Sequence, residues 1–293
     1  SVLGRLRSGL AGHDSLIRIA ENSAWLVLDK GLRLLFGLVV GAWVARYLGP
    51  SLYGQLSYVL ALVALFQAVA ILGLDGIVVR EIARDPSVAG AILGTAFTLR
   101  LSAGVAGWLG SIACMAMING PGDRSVGLTA LAGAVLVFQA ADTVDLWFQS
   151  QSQSRRTVFA KLTALLLSNG VKIWLILAGA PLQAFAAVMV VDAIAAALGL
   201  VFAYRRFPCA QRWTRVRGMS TMLLGEGWPF MLSGVAIMVY MRIDQIMIRE
   251  LLSEHELGLY AAVVPLATVW QFIPMTLSVS LAPFVARKKA ESE

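Results

Sequence analysis

Charge is scarce in this 293-residue sequence: charged residues make up 14%, against 58% hydrophobic residues and a mean hydropathy of +0.76. A soluble domain carries about 25% charged residues, so a water-exposed globule is excluded. Histidine and cysteine are nearly absent. His13 and His255 lie near polar segments, which argues against a zinc site. Cys114 in an apolar block and Cys209 in a basic loop show neither a disulfide framework nor metal-ligand spacing. There is no HExxH, no DxD, no Cys/His ligand cluster and no loop long enough for a soluble catalytic domain. A membrane glycosyl- or acyltransferase would need a base, a nucleophile or a metal, which leaves that enzyme reading disfavoured.

What the sequence has in quantity is long apolar blocks of about 20 residues, the length that crosses a bilayer core. The predicted fold class is all-α, a polytopic transmembrane bundle of eight spans near 22–45, 54–74, 89–118, 125–150, 157–178, 181–204, 222–248 and 258–285. The net charge of +7 does not point to nucleic acid, because the basic residues concentrate between spans. One set of gaps holds Arg5, Arg7, Arg18, Arg80, Arg84, Arg155, Arg156, Arg205, Arg206, Arg212, Arg215, Arg217, Arg287, Lys288 and Lys289; the alternate set holds only Arg46, Arg124 and Arg249. That asymmetry places the N-terminus in the cytoplasm and supports an even number of spans.

The longest loop, RRFPCAQRWTRVRG (205–218), divides the chain. The expected organisation is a cytoplasmic N-terminal segment over 1–21, a six-helix lobe over 22–204, a basic linker over 205–218 and the start of a second lobe over 219–293. Ser1 in place of an initiator Met and a stop just after a span lead to the expectation of a partial, C-terminally truncated sequence.

Six basic residues fall inside spans: Lys30, Arg33, Arg100, Lys161, Lys172 and Arg242. Each charge at the bilayer centre costs roughly 2.5–3.5 kcal/mol on insertion scales, so such residues face a bundle interior or a wet cavity. Arg33 and Arg100 lie about 16 Å from the cytoplasmic start of their spans, near the midplane. Lys172 lies further toward the outer side and Arg242 in the outer half of the seventh span. Lys30 and Lys161 are close enough to the inner interface to snorkel. The acids Asp29, Asp142, Asp145, Asp192 and Asp244 accompany them. Asp29 and Arg33 are spaced i,i+4 and can pair; Asp142 and Asp145 share a helix face at i,i+3. Two readings fit: a structural ion-pair network, or a polar path lined by charge. Asn22, Gln67, Gln139, Gln149, Asn169 and Gln271 suit either, as interhelical glue or as parts of a wet interior. Gly37/Gly41 and Gly90/Gly94 have helix-contact spacing, and Pro265, Pro274 and Pro283 permit bends in the last span.

Several stretches carry a resemblance. These are Asn22–Ser23 opening the first span, ARYLGPSLYGQLSY (45–58), LGLDGIVVREIARDP (72–86), YMRIDQIMI (240–248) and SEHELGLYAAVVPL (253–266). Together they resemble the polysaccharide flippases of the MOP superfamily, the Wzx-type O-antigen translocases, over essentially the whole chain; the LGP–YG and ELGLYAA elements are the most specific. The resemblance implies two six-helix lobes around a central cavity. It also implies movement of undecaprenyl-diphosphate-linked oligosaccharide from the cytoplasmic to the periplasmic leaflet of a bacterial inner membrane. This chain would supply the first lobe and two helices of the second. Arg33 and Arg100, then Lys172 and Arg242, become the expected phosphate-binding residues of a cationic cavity. Asp29, Asp142, Asp145, Asp192 and Asp244 become a charge network, with Asp244 the candidate for coupling to a proton or sodium gradient. No cofactor or metal is expected. The expected partners are the lipid-linked oligosaccharide, membrane lipids and, as a further candidate, polymerase machinery. Peptidoglycan, O-antigen, capsule and exopolysaccharide precursors share this chemistry. The nearest alternative is a multidrug or other lipid exporter of the same superfamily.

Overall fold

The computed structural model describes residues 2–151, 153–207, 212–267 and 269–270, with the side chains of 2–24, 26 and 217 outside that description. Cys209, Gln271, Pro274, Pro283, Arg287, Lys288 and Lys289 lie outside the described residues, as do the side chains of Asn22, His13, Arg5, Arg7, Arg18 and Arg217.

Every regular element among the described residues is helical: α1 (Val2–Ala70), α2 (Asp75–Arg84), a 3₁₀ turn (Pro86–Val88), α3 (Ala89–Asn119), α4 (Arg124–Gly133), α5 (Val135–Phe138), a second 3₁₀ turn (Gln139–Asp142), α6 (Thr143–Ser150), α7 (Ser154–Leu177), α8 (Leu182–Arg205) and α9 (Arg217–Leu251). A further helical stretch covers 254–267. Among the described residues, six segments are long and apolar enough to cross a membrane. The first, Val27–Arg84, has 58 residues, which as one straight helix would reach about 87 Å, against a hydrocarbon core of about 30 Å. It bends instead at Gly49, whose φ of 72° and ψ of 169° fall in a region only glycine adopts readily, with Pro50 starting the next arm. Two expected spans therefore meet at a single hinge rather than across a loop, and seven of the eight expected spans fall within the described residues. The eighth is entered by the stretch at 254–267.

The bundle carries an apolar core at each end. Near the turns at 49–50, 120–123 and 179–181, Val44, Leu62, Met115, Leu136, Phe185 and Leu257 pack together. Near the opposite turns, Ile77, Ile82, Leu93, Trp147, Phe148 and Leu223 form the second core. The charged interior lies between these two apolar layers.

Two expectations change on inspection of the backbone. The stretch 125–150, read as one span, is divided into α4, α5, a 3₁₀ turn and α6. Of the small-residue pairs, Gly37 and Gly41 face open space, whereas Gly94 lies so close to the backbone of Thr214 that a Cβ would collide with it. Thr214 belongs to the basic 205–218 segment, whose residues 213–216 are strapped to the bundle. The amide of Thr214 donates to the Gly90 carbonyl at 3.1 Å, that of Val216 to Thr95 Oγ1 at 3.2 Å, and Trp213 Nε1 to the Tyr204 hydroxyl at 2.9 Å.

The two stretches most specific to the family resemblance touch. Gly54 lies against the carbonyl of Glu254 and the amide of Gly258, and Gly258 against Pro50, with no room for a side chain at either glycine. Beside them, the Tyr58 hydroxyl bonds Glu250 Oε1 at 2.7 Å, and Arg249 lies over the Tyr58 ring.

Candidate functional site

Two cavities occupy the middle layer. The first, of about 220 Å³, is lined by Asp75, Arg100, Gln139, Asp142, Asp145, Gln149 and Lys161 among other residues. The second, of about 310 Å³, is lined by Asp29, Arg33, Gln67, Gln139, Asp142, Lys161, Lys172 and Asp192, with Met189, Ala193, Ala196 and Ala197 of α8 as an apolar wall. Gln139, Asp142 and Lys161 belong to both linings, so the 3₁₀ turn over Gln139–Asp142 and one lysine form the partition between them.

That partition exists because the fourth span is broken, and the cause lies in α3. In regular helix the Ala134 amide would bond the Ala130 carbonyl. Trp108 Nε1 takes that carbonyl at 2.8 Å, and the Ala134 amide bonds Leu131 at 3.4 Å instead. A side chain inserted into the ladder is an established cause of a kink. One turn earlier on the same face of α3, Gly104 lets the Leu136 carbonyl approach so closely that a Cβ would collide with it. One turn before that stands Arg100. A single face of α3 thus breaks the fourth span and places a charge beside the break. Irregular backbone at membrane depth is tolerated where it lines a cavity.

The ionisable side chains are mostly paired. Arg33 Nε donates to both carboxylate oxygens of Asp29, at 3.1 and 3.2 Å, as the i,i+4 spacing predicts. Asp142 and Asp145 do share a face, and both bond Lys161 Nζ, at 3.0 and 2.7 Å; Gln149 Nε2 adds a bond to Asp145 at 3.2 Å. Arg100, only 5% exposed, pairs through Nη2 with Asp75, whose side chain is 61% exposed. Nine unpaired charges at this depth would cost on the order of 20–30 kcal/mol, more than the 5–15 kcal/mol by which a domain is typically stable. Pairing of seven of the nine offsets most of that cost.

The sequence reading missed two participants. Asp75 falls just past the predicted second span (54–74), yet it opens α2 and meets Arg100 across 25 positions. Lys161, which the sequence places close enough to the inner interface to snorkel, instead holds two carboxylates. Two expected participants lie elsewhere. Arg242 Nη1 reaches Gln245 at 3.5 Å, and Asp244 caps the Gln245 amide at 2.8 Å and bonds the Tyr260 hydroxyl; neither lines either cavity. Asn169 bonds the Leu165 carbonyl of its own helix at 2.7 Å, so its amide NH₂ is engaged locally, not across helices.

The lining also departs from the expected cationic cavity. Asp29, Asp75, Asp142, Asp145 and Asp192 face Arg33, Arg100, Lys161 and Lys172: five carboxylates against four cations, a mixed surface. Several polar atoms in it are buried without a hydrogen-bond partner: Arg100 Nε, Gln139 Oε1, Asp145 Oδ1 and Asp192 Oδ1. Buried polar groups are nearly always paired, so these atoms mark the places where a ligand or solvent would complete the network. Among the described residues no group of three or more His, Cys, Asp or Glu is placed to hold a metal ion.

The cavity walls can therefore do two things chemically. The guanidinium and ammonium groups donate to anionic oxygens, and the carboxylates and Gln139 accept from hydroxyl or amide hydrogens. No curated protein and no solved structure gave a match to the chain. A family model described as polysaccharide biosynthesis protein matches residues 19–288, nearly the whole chain and all of the helices that line the cavities. This polytopic helical chain belongs to the polysaccharide biosynthesis protein family.

Proposed function

We propose that the protein translocates undecaprenyl-diphosphate-linked oligosaccharide from the cytoplasmic to the periplasmic leaflet, as a step in polysaccharide biosynthesis. The observation that carries this reading is the mixed lining of the paired cavities between two apolar layers. A diphosphate needs donors, and a sugar needs both donors and acceptors. Arg33 keeps its Nη groups beyond the Nε bond to Asp29, and Arg100 keeps an unpartnered Nε. Each can turn to a phosphate without abandoning its carboxylate. The oligosaccharide would occupy the wet interior while the polyprenyl tail remains in lipid.

In this reading the N-terminus is cytoplasmic and the segments carrying Arg84, Arg155, Arg156 and Arg205 face the same side. Access alternates by movement of helices around the cavities. The Asp142–Lys161–Asp145 group is then the candidate for coupling to a proton or sodium gradient, in preference to the peripheral Asp244. O-antigen, capsule, exopolysaccharide and peptidoglycan precursors are all candidate cargoes.

The test is made in cells lacking the gene, by extracting the polyprenyl-linked oligosaccharides. Accumulation of the finished repeat unit, with loss of surface polysaccharide, is the expected outcome. Accumulation of an unfinished unit would indicate a biosynthetic enzyme instead. Export of cationic compounds is the second reading, favoured by the five carboxylates in the lining; it predicts no change in the lipid-linked pool and a raised sensitivity to cationic drugs.

A further inference from the structure

Three of the four cavity cations are already committed to carboxylates: Arg33 to Asp29, Arg100 to Asp75 and Lys161 to Asp142 and Asp145. Lys172 is different. It forms no ion pair with any described residue, although it lies within electrostatic reach of Asp192 in the second cavity. Asp192 in turn holds Oδ1 buried without a hydrogen-bond partner. A half-buried ammonium and a buried carboxylate oxygen, each lacking a partner, are costly to keep. Here they face the same space.

The chemistry of the pair defines its ligand. An ammonium donates three hydrogen bonds and accepts none; a carboxylate only accepts. A ligand that satisfies both presents an anionic acceptor and a hydroxyl or amide donor a short distance apart. A bare diphosphate ester fails, because it offers acceptors alone and sets its charge against Asp192. A sugar joined to phosphate succeeds: phosphate oxygens adjoin ring hydroxyls. The wall beside the pair suits a ring as well, since Ala193, Ala196 and Ala197 of α8 are small and apolar.

We propose that Lys172 and Asp192 form a receptor for the glycosyl-phosphate junction of the carried lipid, Lys172 holding a phosphate oxygen and Asp192 accepting from a hydroxyl of the first sugar. The assignment rests on the lipid-diphosphate reading above and narrows it. The cavity recognises the first sugar together with its phosphate, and it rejects the lipid carrier that has not yet been glycosylated. Arg33 and Arg100 add to the field of the site, while the uncommitted pair makes the discriminating contacts.

The test measures equilibrium binding of the full chain in detergent to two short-chain polyprenyl diphosphates, one carrying a single hexose and one bare. The parent protein is expected to prefer the glycosylated lipid by about ten-fold or more, the scale of a hydrogen bond to a charged group. Asp192→Asn should bring the two affinities to within about two-fold of each other. Lys172→Gln should weaken both lipids by about ten-fold, and Lys172→Arg should recover most of that loss, which separates a binding role from a folding one. Asp192→Asn retaining the full preference, or Lys172→Gln binding both lipids like the parent, would overturn the assignment. A parent protein that binds both lipids equally overturns this inference alone. One that binds neither overturns the lipid-diphosphate reading along with it.

Discussion

The indole N–H of Trp108 donates to the carbonyl of Ala130 at 2.8 Å, and the fourth span leaves regular helix at Ala134, the residue that would otherwise have used that carbonyl. One long-range hydrogen bond thus opens the partition on which both cavities are built. Trp108→Phe keeps an aromatic ring and removes the donor. The Ala130 carbonyl can then return to the Ala134 amide, so the net change in stability should stay within about 1 kcal/mol while transport falls. Thermal unfolding in detergent and complementation of a deletion strain check both halves. A variant that transports normally would separate the break from function.

Gly104 should tolerate nothing larger. A Cβ there meets the carbonyl of Leu136 and also the Val137 backbone, and overpacking of this kind costs about 1–3 kcal/mol. Gly37→Ala is the matched control, since nothing lies within 4 Å of its Cβ position; it should leave stability equal or slightly raised, because alanine favours helix. Gly104→Ala should therefore melt below the parent and Gly37→Ala at or slightly above it.

Lys161 is the counter-charge for two carboxylates at once. Lys161→Met leaves Asp142 and Asp145 adjacent and uncompensated, and breaking a buried pair from one side typically costs about 3–5 kcal/mol. Adding Asp145→Asn to that variant should recover most of the loss. Comparable melting temperatures for the single and double variants would mean that the lysine does not hold the carboxylates together.

Asp123 caps α4, accepting from the Ser125 amide at 2.7 Å. That hydrogen bond, followed by the Ser125 hydroxyl, holds its carboxyl below the usual value. A lowered folded-state value means that the stabilisation is fully present above the unfolded value near 3.9 and is lost as pH falls below it. Asp123→Ala should cost about 1 kcal/mol at neutral pH and Asp123→Asn little. The gap between parent and Asp123→Ala should close as the pH is lowered from about 5 toward 3, which melting curves across that range would reveal.

The spans were legible because lipid imposes a length and an apolar composition on each of them. The Asn119 turn and the bend at Gly49–Pro50 fall where the hydropathy drops. Local charge pairing was legible too: Asp29 with Arg33, and the common face of Asp142 and Asp145, follow from helical spacing alone. What escaped depended on contacts between distant segments. Asp75 finds Arg100 only when α2 packs beside α3, and Lys161 reaches Asp145 from the next span. The break in the fourth span has only a weak local signature, the Gly133 on which α4 ends; the tryptophan that takes the Ala130 carbonyl lies on the neighbouring helix. The expectation of a cationic interior left out Asp75 for the same reason: it lies just past the predicted second span, and only packing brings it to Arg100.

The glycine contact between residues 54 and 258 joins positions about two hundred residues apart in the chain. During synthesis at about 5–20 residues per second, roughly 10–40 s pass between the appearance of the first glycine and that of the second. Through that interval the notch at Gly54 has no partner and lies open to whatever surrounds the nascent hairpin. The seam between the first two spans and the stretch at 254–267 therefore cannot form until about two hundred residues beyond Gly54 have been added, and a chain released before that point leaves it unsealed.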